Sequence, residues 1–579
     1  MRTARAGSFV GVVVKRGRFH VVEPLFERGG RLPLERGKVR ADAGQMVLVA
    51  TSSRGVKAVR TLGSPQLARD VVQALLWEGL ERRGFARKVE DEAREAPAVA
   101  GDVDPARRDL RDLATFTVDP ATARDFDDAV SAQPDGDGVR LWIHIADVSA
   151  HVRPGSALDS EAYRRATSVY VPGTVEPMLP SALSNEACSL VPDSDRLAVT
   201  AEMRIDAAGA VRSASFYRSR IRSGARLDYD QLDRIFAGRE EAPPQVAEPL
   251  GLARRAAAML AERRPRGALE VESFEPEFEF DSDGAVIGAQ GVPQTEAHQL
   301  IEHLMILTNE QVADLLEKRG SPALYRVHEQ PDPARVDHLL DQLAALDVPA
   351  PGSKNGMSPT EAGDLVGEIS RWVAREARRR GQGAQSLGSL VLRSLKQAYY
   401  TEKNLGHAGL GSPAYAHFTS PIRRYPDLVA HRSLLAVVGA GETAPNPSDV
   451  REAGPWCSDR EREAMKIERR ADSVCAAFLL ERELFERGHS TRFDGEVSGV
   501  INAGAFVRFG GELGDVYEGF VPARTLRGER FDLNETETAL VGGRTGRQVR
   551  FGDPIKVTVT GVEAARGRTD LEAVPDASS

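Results

Sequence analysis

Both ends of this chain are built from short apolar runs, four to six residues long, set between glycines and charges, a length that strands use and helices do not. Near the start these are Phe9 to Val14, Phe19 to Val22 and Met46 to Val49, and the same texture returns from Thr491 to Val574. Each end therefore reads as a small antiparallel barrel. Between them the pattern changes. Val71, Val72, Leu75, Leu76 and Leu80 recur at helical spacing and predict a helix over 66–86, followed by an Ala/Pro/acidic linker from Glu90 to Pro105. A long middle mixes strands such as Leu141 to Ile145 with helices such as Ala297 to Leu316 and Ala384 to Leu405, and Gly238 to Glu248, rich in Glu and Pro, predicts an exposed loop. The expected organisation is multidomain: a barrel over 1–63, a helical linker over 64–107, a mixed α/β domain over 108–438, its helical end over 439–489 with a charged helix near Asp459 to Arg487, and a second barrel over 490–574. At 579 residues the chain is too long for a single core, since domains run to about 150 residues each.

Composition excludes several classes. Charged residues make up 28% and hydrophobic residues 41%, and no run approaches the roughly 18 consecutive apolar residues of a membrane span. Met1 to Arg5 is basic, but Lys15, Arg16 and Arg18 interrupt the apolar residues beyond it, so no signal-peptide core is present and a cytoplasmic protein is expected. Cys188, Cys457 and Cys475 lack C-x-x-C spacing and read as buried or incidental thiols, not as a disulfide or zinc framework. The formal charge is −9, yet it is unevenly spread: residues 1–62 hold thirteen Lys/Arg against four Asp/Glu, which leaves the remainder at −18. A basic module of this kind fits either a nucleic-acid partner or a merely solvated face.

The most chemically specific stretch runs from Thr117 to Ala129 and reads Thr-Val-Asp-Pro-Ala-Thr-Ala-Arg-Asp-Phe-Asp-Asp-Ala. It places Asp119, Asp125, Asp127 and Asp128 within ten residues that proline and small side chains keep out of a helix. Hard cations such as Mg²⁺ prefer oxygen ligands, and two of them about 3.5–4 Å apart can clamp the attacking and leaving oxygens of a phosphoryl displacement. By itself the stretch fits such a site or an acidic surface turn equally well; it lacks the residue order of an EF-hand loop.

Together with other blocks, Asp119-Pro120 and Asp125-Phe126-Asp127-Asp128 resemble the signature of the ribonuclease II/ribonuclease R (RNB) family. The further blocks, in family order, are His144 to Ser149, Ser168 to Pro172, Met178 to Pro180 with Leu183-Ser184 and Cys188 to Leu190, Ile301-Glu302, Tyr325 to His328, and His417 to Asp427. They span roughly residues 108 to 438. The resemblance implies a hydrolytic exoribonuclease that degrades single-stranded RNA processively from the 3′ end to nucleoside 5′-monophosphates and a short end product. It implies Mg²⁺, with Mn²⁺ as a substitute, held by Asp119, Asp125, Asp127 and Asp128, of which Asp128 is the most critical to chemistry. Arg423, within Thr419 to Arg423, matches the family arginine at the scissile phosphate, where a guanidinium fork suits the building charge. Tyr170 matches a residue that stacks on terminal bases, Tyr229 one near the active-site end of the RNA, and Glu302 a carboxylate that accepts from ribose hydroxyls. At His303 the sequence departs from several members, which carry a second acid there. Nothing in the acidic quartet is missing. The rival readings are an RNA-binding regulator with a degenerate site and a metal-dependent nuclease acting on DNA.

Arg18-Phe19-His20 resembles the aromatic strand of a cold-shock-type OB-fold, and residues 490–574 resemble an S1 RNA-binding barrel through Phe493 to Val497, Gly504 to Phe509, Glu518 to Pro522 and Gly552 to Val557. The S1 likeness makes Phe506 the candidate for base stacking; alternation lets only one face of its strand meet ligand, and periodicity leaves open which of Phe506 and Phe509 lies in the core. His144 and Asp147 read as structural polar residues on an apolar strand, and His431 and Arg432 as helix residues that either brace the phosphate loop or touch RNA backbone. No Gly-x-x-x-x-Gly-Lys loop is present, so no nucleotide cofactor is implied, and single-stranded RNA is the expected partner of a monomer without membrane attachment. The resemblance also departs in carrying one N-terminal barrel where many members carry two.

Overall fold

The computed structural model describes residues 7–52, 55–80, 83–100, 106–265, 267–270, 275–354, 356–510, 516–526 and 529–574, so the basic segment Met1 to Arg5 lies outside the described residues. The first apolar runs form β1 (Ser8–Arg16), β2 (Phe19–Pro24), β3 (Leu32–Glu35), β4 (Met46–Thr51) and β5 (Val56–Thr61), which close into a barrel of order β1-β2-β3-β5-β4. Val13, Val22, Val47, Val49 and Val56 fill its interior, as alternation along each strand requires. Phe19 is 75% exposed and sits opposite Arg16 at the end of the β1–β2 hairpin. At the other end of the chain Arg492–Ile501, Gly504–Phe509, Tyr517–Pro522, Arg568–Ala573 and Pro554–Glu563 close in that spatial order, with the third and fourth strands parallel. In the first barrel β3 and β5 are likewise parallel. Both barrels thus have the five-stranded order of an OB-fold.

The central sheet contains β6 (Arg108–Asp109), β7 (Phe116–Asp119), β8 (Asp128–Asp135) and β9 (Gly138–Ala146). A separate hairpin, β10 (Val169–Val171) with β11 (Thr174–Glu176), precedes its remaining strands β12 (Asp195–Ile205), β13 (Val211–Arg222) and β14 (Ala225–Asp228). Its seven strands lie in the order β14-β7-β8-β9-β12-β13-β6. Leu141, Ile143 and Ile145 of β9 pack with helices Ala247–Glu262 and Glu296–Arg319 on one face. Ala146 and Ala198 on the other face pack with helices Ala157–Arg165 and Tyr425–Val437. A sheet covered on both sides explains why β9 is buried almost throughout.

The helix Pro447–Arg487, 41 residues long, joins the parts. Its Ile467, Ala471, Leu480 and Leu484 share one core with Leu75 and Leu76 of the helix Ala68–Gly79 and with Phe493 and Tyr517 of the C-terminal barrel. Arg470 of this helix donates to the Phe26 carbonyl (2.8 Å) and Arg566 of the C-terminal barrel donates directly to the Leu25 carbonyl (3.0 Å), which ties the first barrel to both. Gly454 lies so close to the Tyr400 carbonyl that an added Cβ would stand 2.8 Å from that oxygen. Among the described residues no helix is long and apolar enough to cross a membrane.

Three sequence expectations shift. The helix predicted over 66–86 is Ala68–Gly79, and the expected linker from Glu90 to Pro105 holds a helix, Arg87–Ala100, whose Val89, Ala93 and Ala96 bury one helical stripe. The helix expected over 384–405 ends at Ser394. Leu395 turns extended, and Tyr399–Thr401 pairs with Tyr325–Val327, a long-range partner that local periodicity cannot reveal. Of the loop expected over Gly238 to Glu248, residues 238–246 are loop, while Ala247 and Glu248 open the helix Ala247–Glu262.

His144 and Asp147 are structural in the way their apolar setting suggests. The His144 ring bonds Ser131 Oγ (3.2 Å) and Thr200 Oγ1 (2.9 Å), inside a buried row of hydroxyls that continues to Thr115 and Ser219. Burial pulls its pKa down to about 3. Since an unfolded histidine protonates near 6.5, this group contributes stability above that pH and loses it as the pH falls toward 3. His144→Gln, which cannot take up a proton, is expected to lose on the order of 1–2 kcal/mol less than wild type between pH 7 and pH 5. Urea midpoints of both proteins at the two pH values measure this; equal losses would mean that His144 is not held neutral.

Candidate active site

β7 ends at Asp119 because Pro120 has no N–H to continue the ladder. The irregular segment beyond it is fixed from three sides. Arg226 donates to the carbonyls of Pro120 (3.0 Å) and Ala121 (2.7 Å) and lies over the Phe126 ring. Ser189 Oγ donates to the Arg124 carbonyl and accepts from Phe126 N–H. Ala146 N–H donates to the Asp127 carbonyl (2.8 Å), and Asp128 then opens β8 in register with Ile145.

These anchors hold the four predicted aspartates on one strand–loop–strand segment, with Arg423 beside Asp127. Asp127 is buried; its Oδ1 accepts from Ile422 N–H at 2.8 Å, and its Oδ2 lies 3.7 Å from Arg423 Nε. Asp119 Oδ2, Asp127 Oδ2 and Asp128 Oδ2 are all buried without a hydrogen-bond partner. Burial, and after it the charge of Asp128, pushes the Asp119 carboxyl up to about 8, opposed by Arg226. Burial pushes Asp128 up to about 6 against the pull of Arg423 and Arg424, and raises Asp127 as well. Buried carboxylate oxygens without partners, beside a cation that only partly offsets them, are what a hard divalent ion would satisfy, so the donor set fits Mg²⁺ or Mn²⁺. Among the described residues no three such side chains converge closely enough to enclose an ion by themselves.

Arg423 is held by its loop. Its side chain is 44% exposed and donates to Ser420 Oγ at 3.2 Å, while its carbonyl accepts from Ser168 N–H. Beneath it Asp427, fully buried, accepts from Ser420 N–H and takes two bonds of 2.8 Å from Arg424. His431 binds the Phe418 carbonyl (2.9 Å) and so braces the loop from inside, while Arg432 pairs with Asp159 (2.8 Å) of the helix Ala157–Arg165.

Tyr170, on β10, is 37% exposed and donates its hydroxyl to Asp125 Oδ2 at 2.9 Å. Burial, with Asp125 adding to it, drives its pKa well up, so it remains a donor. Tyr229 opens the helix Tyr229–Phe236, one residue beyond Asp228, which pairs beside Asp119. Glu302 lies on the helix Glu296–Arg319. It pairs with Arg264 at 3.3 Å and lines, with His303, a cavity of about 1740 Å³ bounded also by Glu270, Trp372, Glu496 and Arg508; none of the four aspartates lines it. In the C-terminal barrel Phe509 is fully buried and Phe506 is 36% exposed against Phe520, which decides the choice between them.

Sequence reasoning passed over three contributors. Arg226 lies three residues before Tyr229 and Asp427 ends the block His417 to Asp427, and both were legible there as charges next to the site. His298, stacked on Tyr229, had no sequence signal. The helices Pro333–Ala345, Pro359–Arg380 and Ala384–Ser394 form a small core of their own, joined by Phe551 of the C-terminal barrel.

Comparison with known proteins matches this geometry to a family. Residues 107–440 match the RNB domain and residues 489–573 the S1 RNA binding domain. The chain is 35% identical over 503 residues to ribonuclease R 1 of Lactococcus lactis, covering 85% of this chain and 59% of that protein. It is 34% identical over 526 residues to ribonuclease R of Aquifex aeolicus, covering 90% and 72%. It thus spans 59% of the length of the Lactococcus relative. The apo form of Mycoplasma genitalium RNase R shares the fold at a TM-score of 0.88 and 24% identity over 98% of this chain and 90% of that one. Yeast Ssd1, described as a pseudonuclease, shares it at 0.66 and 17% identity over 93% and 68%. From the matched domains, their order and the identity to these relatives, the chain belongs to the RNB-domain family of ribonuclease R proteins.

Proposed function

We propose that this chain is a cytoplasmic, monomeric exoribonuclease that hydrolyses single-stranded RNA processively from its 3′ end, releasing nucleoside 5′-monophosphates and leaving a short end product. The observation that carries the reading is the group of three buried carboxylate oxygens without hydrogen-bond partners, one of them 3.7 Å from Arg423. Asp119, Asp125, Asp127 and Asp128 would hold Mg²⁺, or Mn²⁺ in its place, and bound there the ion would offset charge on the attacking and leaving oxygens. Water attacks the terminal phosphorus, the bond to the preceding 3′-oxygen breaks, and that oxygen leaves with a proton. Arg423, anchored through Ser420, presents its guanidinium to the phosphate as negative charge builds. Asp128 would orient the attacking water through its carboxylate. Tyr170 offers its exposed ring to a base while its hydroxyl stays on Asp125. Glu302 accepts from a ribose hydroxyl and so favours RNA over DNA. The two barrels, with Phe19 and Phe506 exposed, give further stacking positions for a single strand.

The complete protein tests this directly by digestion of a 5′-labelled single-stranded RNA and its DNA counterpart, with Mg²⁺ and with a chelator. A ladder that shortens from the 3′ end on RNA alone, and stops with the chelator, supports the reading. RNA that is bound and left intact would reassign the chain as an RNA-binding protein. Arg423→Lys keeps the charge and loses the fork, so it is expected to lower kcat by roughly a hundredfold with little change in KM. An unaltered kcat would remove Arg423 from the phosphate.

A further inference from the structure

The Tyr229 ring does not stand free. The helix Glu296–Arg319 is capped by Thr295, and His298, in its first turn, turns Nδ1 back to within 2.8 Å of Thr295 Oγ1. With its ring so fixed, His298 lies flat on Tyr229, centroids 4.0 Å apart and planes 10° from parallel. Ala297 N–H donates to Asp233 Oδ1 at 3.2 Å and locks the start of this helix to the helix that carries Tyr229. Tyr229 in turn follows Asp228, whose parallel pairing with Asp119 brings it to the acidic end of the sheet. A ring in the unfixed helical position of Tyr229 could swing about two bonds. One with a neighbouring plane against its face cannot, and a nucleotide can then stack only on the opposite face.

We propose that His298 is a positioning residue: by stacking on Tyr229 it sets where the terminal nucleotide of the RNA rests against the four aspartates. The inference depends on the hydrolytic reading above. Small displacements of a bound substrate from its attack geometry reduce the chemical step more than binding, so the effect belongs in kcat. Long RNA is gripped at several other places, and its KM depends little on one terminal ring.

The test measures kcat and KM of the complete protein on one single-stranded RNA with Mg²⁺. His298→Ala is expected to lower kcat by roughly three- to tenfold and to leave KM nearly unchanged. His298→Phe restores a stacking plane without the Thr295 bond and is expected to recover most of the rate; His298→Asn, which has a polar side chain and no ring, should resemble the alanine variant. In a Tyr229→Ala background His298→Ala should add nothing further, because the two residues act as one unit. An unchanged kcat in His298→Ala, a phenylalanine variant as slow as alanine, or losses that add in the double variant would each overturn the proposal while the wild type still degrades RNA. A wild type that leaves RNA intact overturns the functional reading instead, and this inference with it.

Discussion

Asp128→Asn is expected to abolish RNA hydrolysis, by roughly a thousandfold or more in kcat, while RNA binding stays within a few-fold of wild type. The exchange is nearly isosteric, and the backbone of residue 128 keeps its place opposite Ile145 in the sheet, so the fold has no reason to change. What changes is charge. Asp128 Oδ2 is one of three aspartate oxygens at this site that are buried without a hydrogen-bond partner, and burial already pushes this carboxyl up to about 6 against the pull of Arg423 and Arg424. Replacing the carboxylate by an amide leaves Asp119 and Asp127 with one ligand charge fewer for a divalent ion and gives the attacking water no anionic acceptor. On the proposed function, binding would rest on other groups, above all the exposed rings of Tyr170, Phe19 and Phe506. Single-turnover digestion with excess protein, beside fluorescence anisotropy of the same labelled RNA, separates the two effects. Hydrolysis at near wild-type rate would remove Asp128 from the chemistry; loss of binding in step with hydrolysis would mean that the substitution had disturbed more than charge.

Asp147→Ala should cost roughly 3–5 kcal/mol of folding stability, the penalty usual for breaking one side of a buried ion pair. Asp147 is fully buried where β9 gives way to a single helical turn. Its Oδ2 takes a 2.7 Å bond from Arg107 and lies 3.1 Å from Arg218 Nε, and its Oδ1 accepts from Ser149 Oγ at 2.6 Å. Burial would raise its carboxyl, but the two guanidinium groups and these bonds more than offset that and hold it well below the usual range. Alanine leaves two largely buried cations facing each other without their shared anion. The urea midpoint should fall accordingly, and Asp147→Asn, which keeps the shape and some of the bonds, should fall less. A change under about 1 kcal/mol for alanine would show that water or Glu442, which also pairs with Arg218, replaces the lost partner.

Much of this site is visible in the primary structure because its chemistry is packed into contiguous text. Asp119 to Asp128 supplies all four carboxylates from one loop, and Pro120 announces that the loop is neither helix nor strand. Thr419 to Asp427 likewise carries Arg423 together with the Arg424–Asp427 pair that holds it. The barrels are readable for a similar reason, since a strand's two faces alternate residue by residue and write burial into the sequence. Glu302 marks where this stops. Its neighbourhood depends on how helices 296–319 and 359–380 and the C-terminal barrel enclose a cavity, and no local pattern specifies that.

From its order of residues alone, then, this protein has its acidic loop, its arginine, its two barrels and several of the helices between, because each depends on neighbours within a few positions. Tertiary structure decided that Tyr399–Thr401 is a strand and not the end of a helix, since its partner lies far back in the chain at Tyr325–Val327. It decided that Phe509 is core and Phe506 is surface, and that His298 meets Tyr229. The physical reason is common to all three. Hydrogen-bond pairing, side-chain burial and ring stacking depend on which surfaces the folded chain brings together, and residues distant in sequence enter such surfaces only when the whole packs.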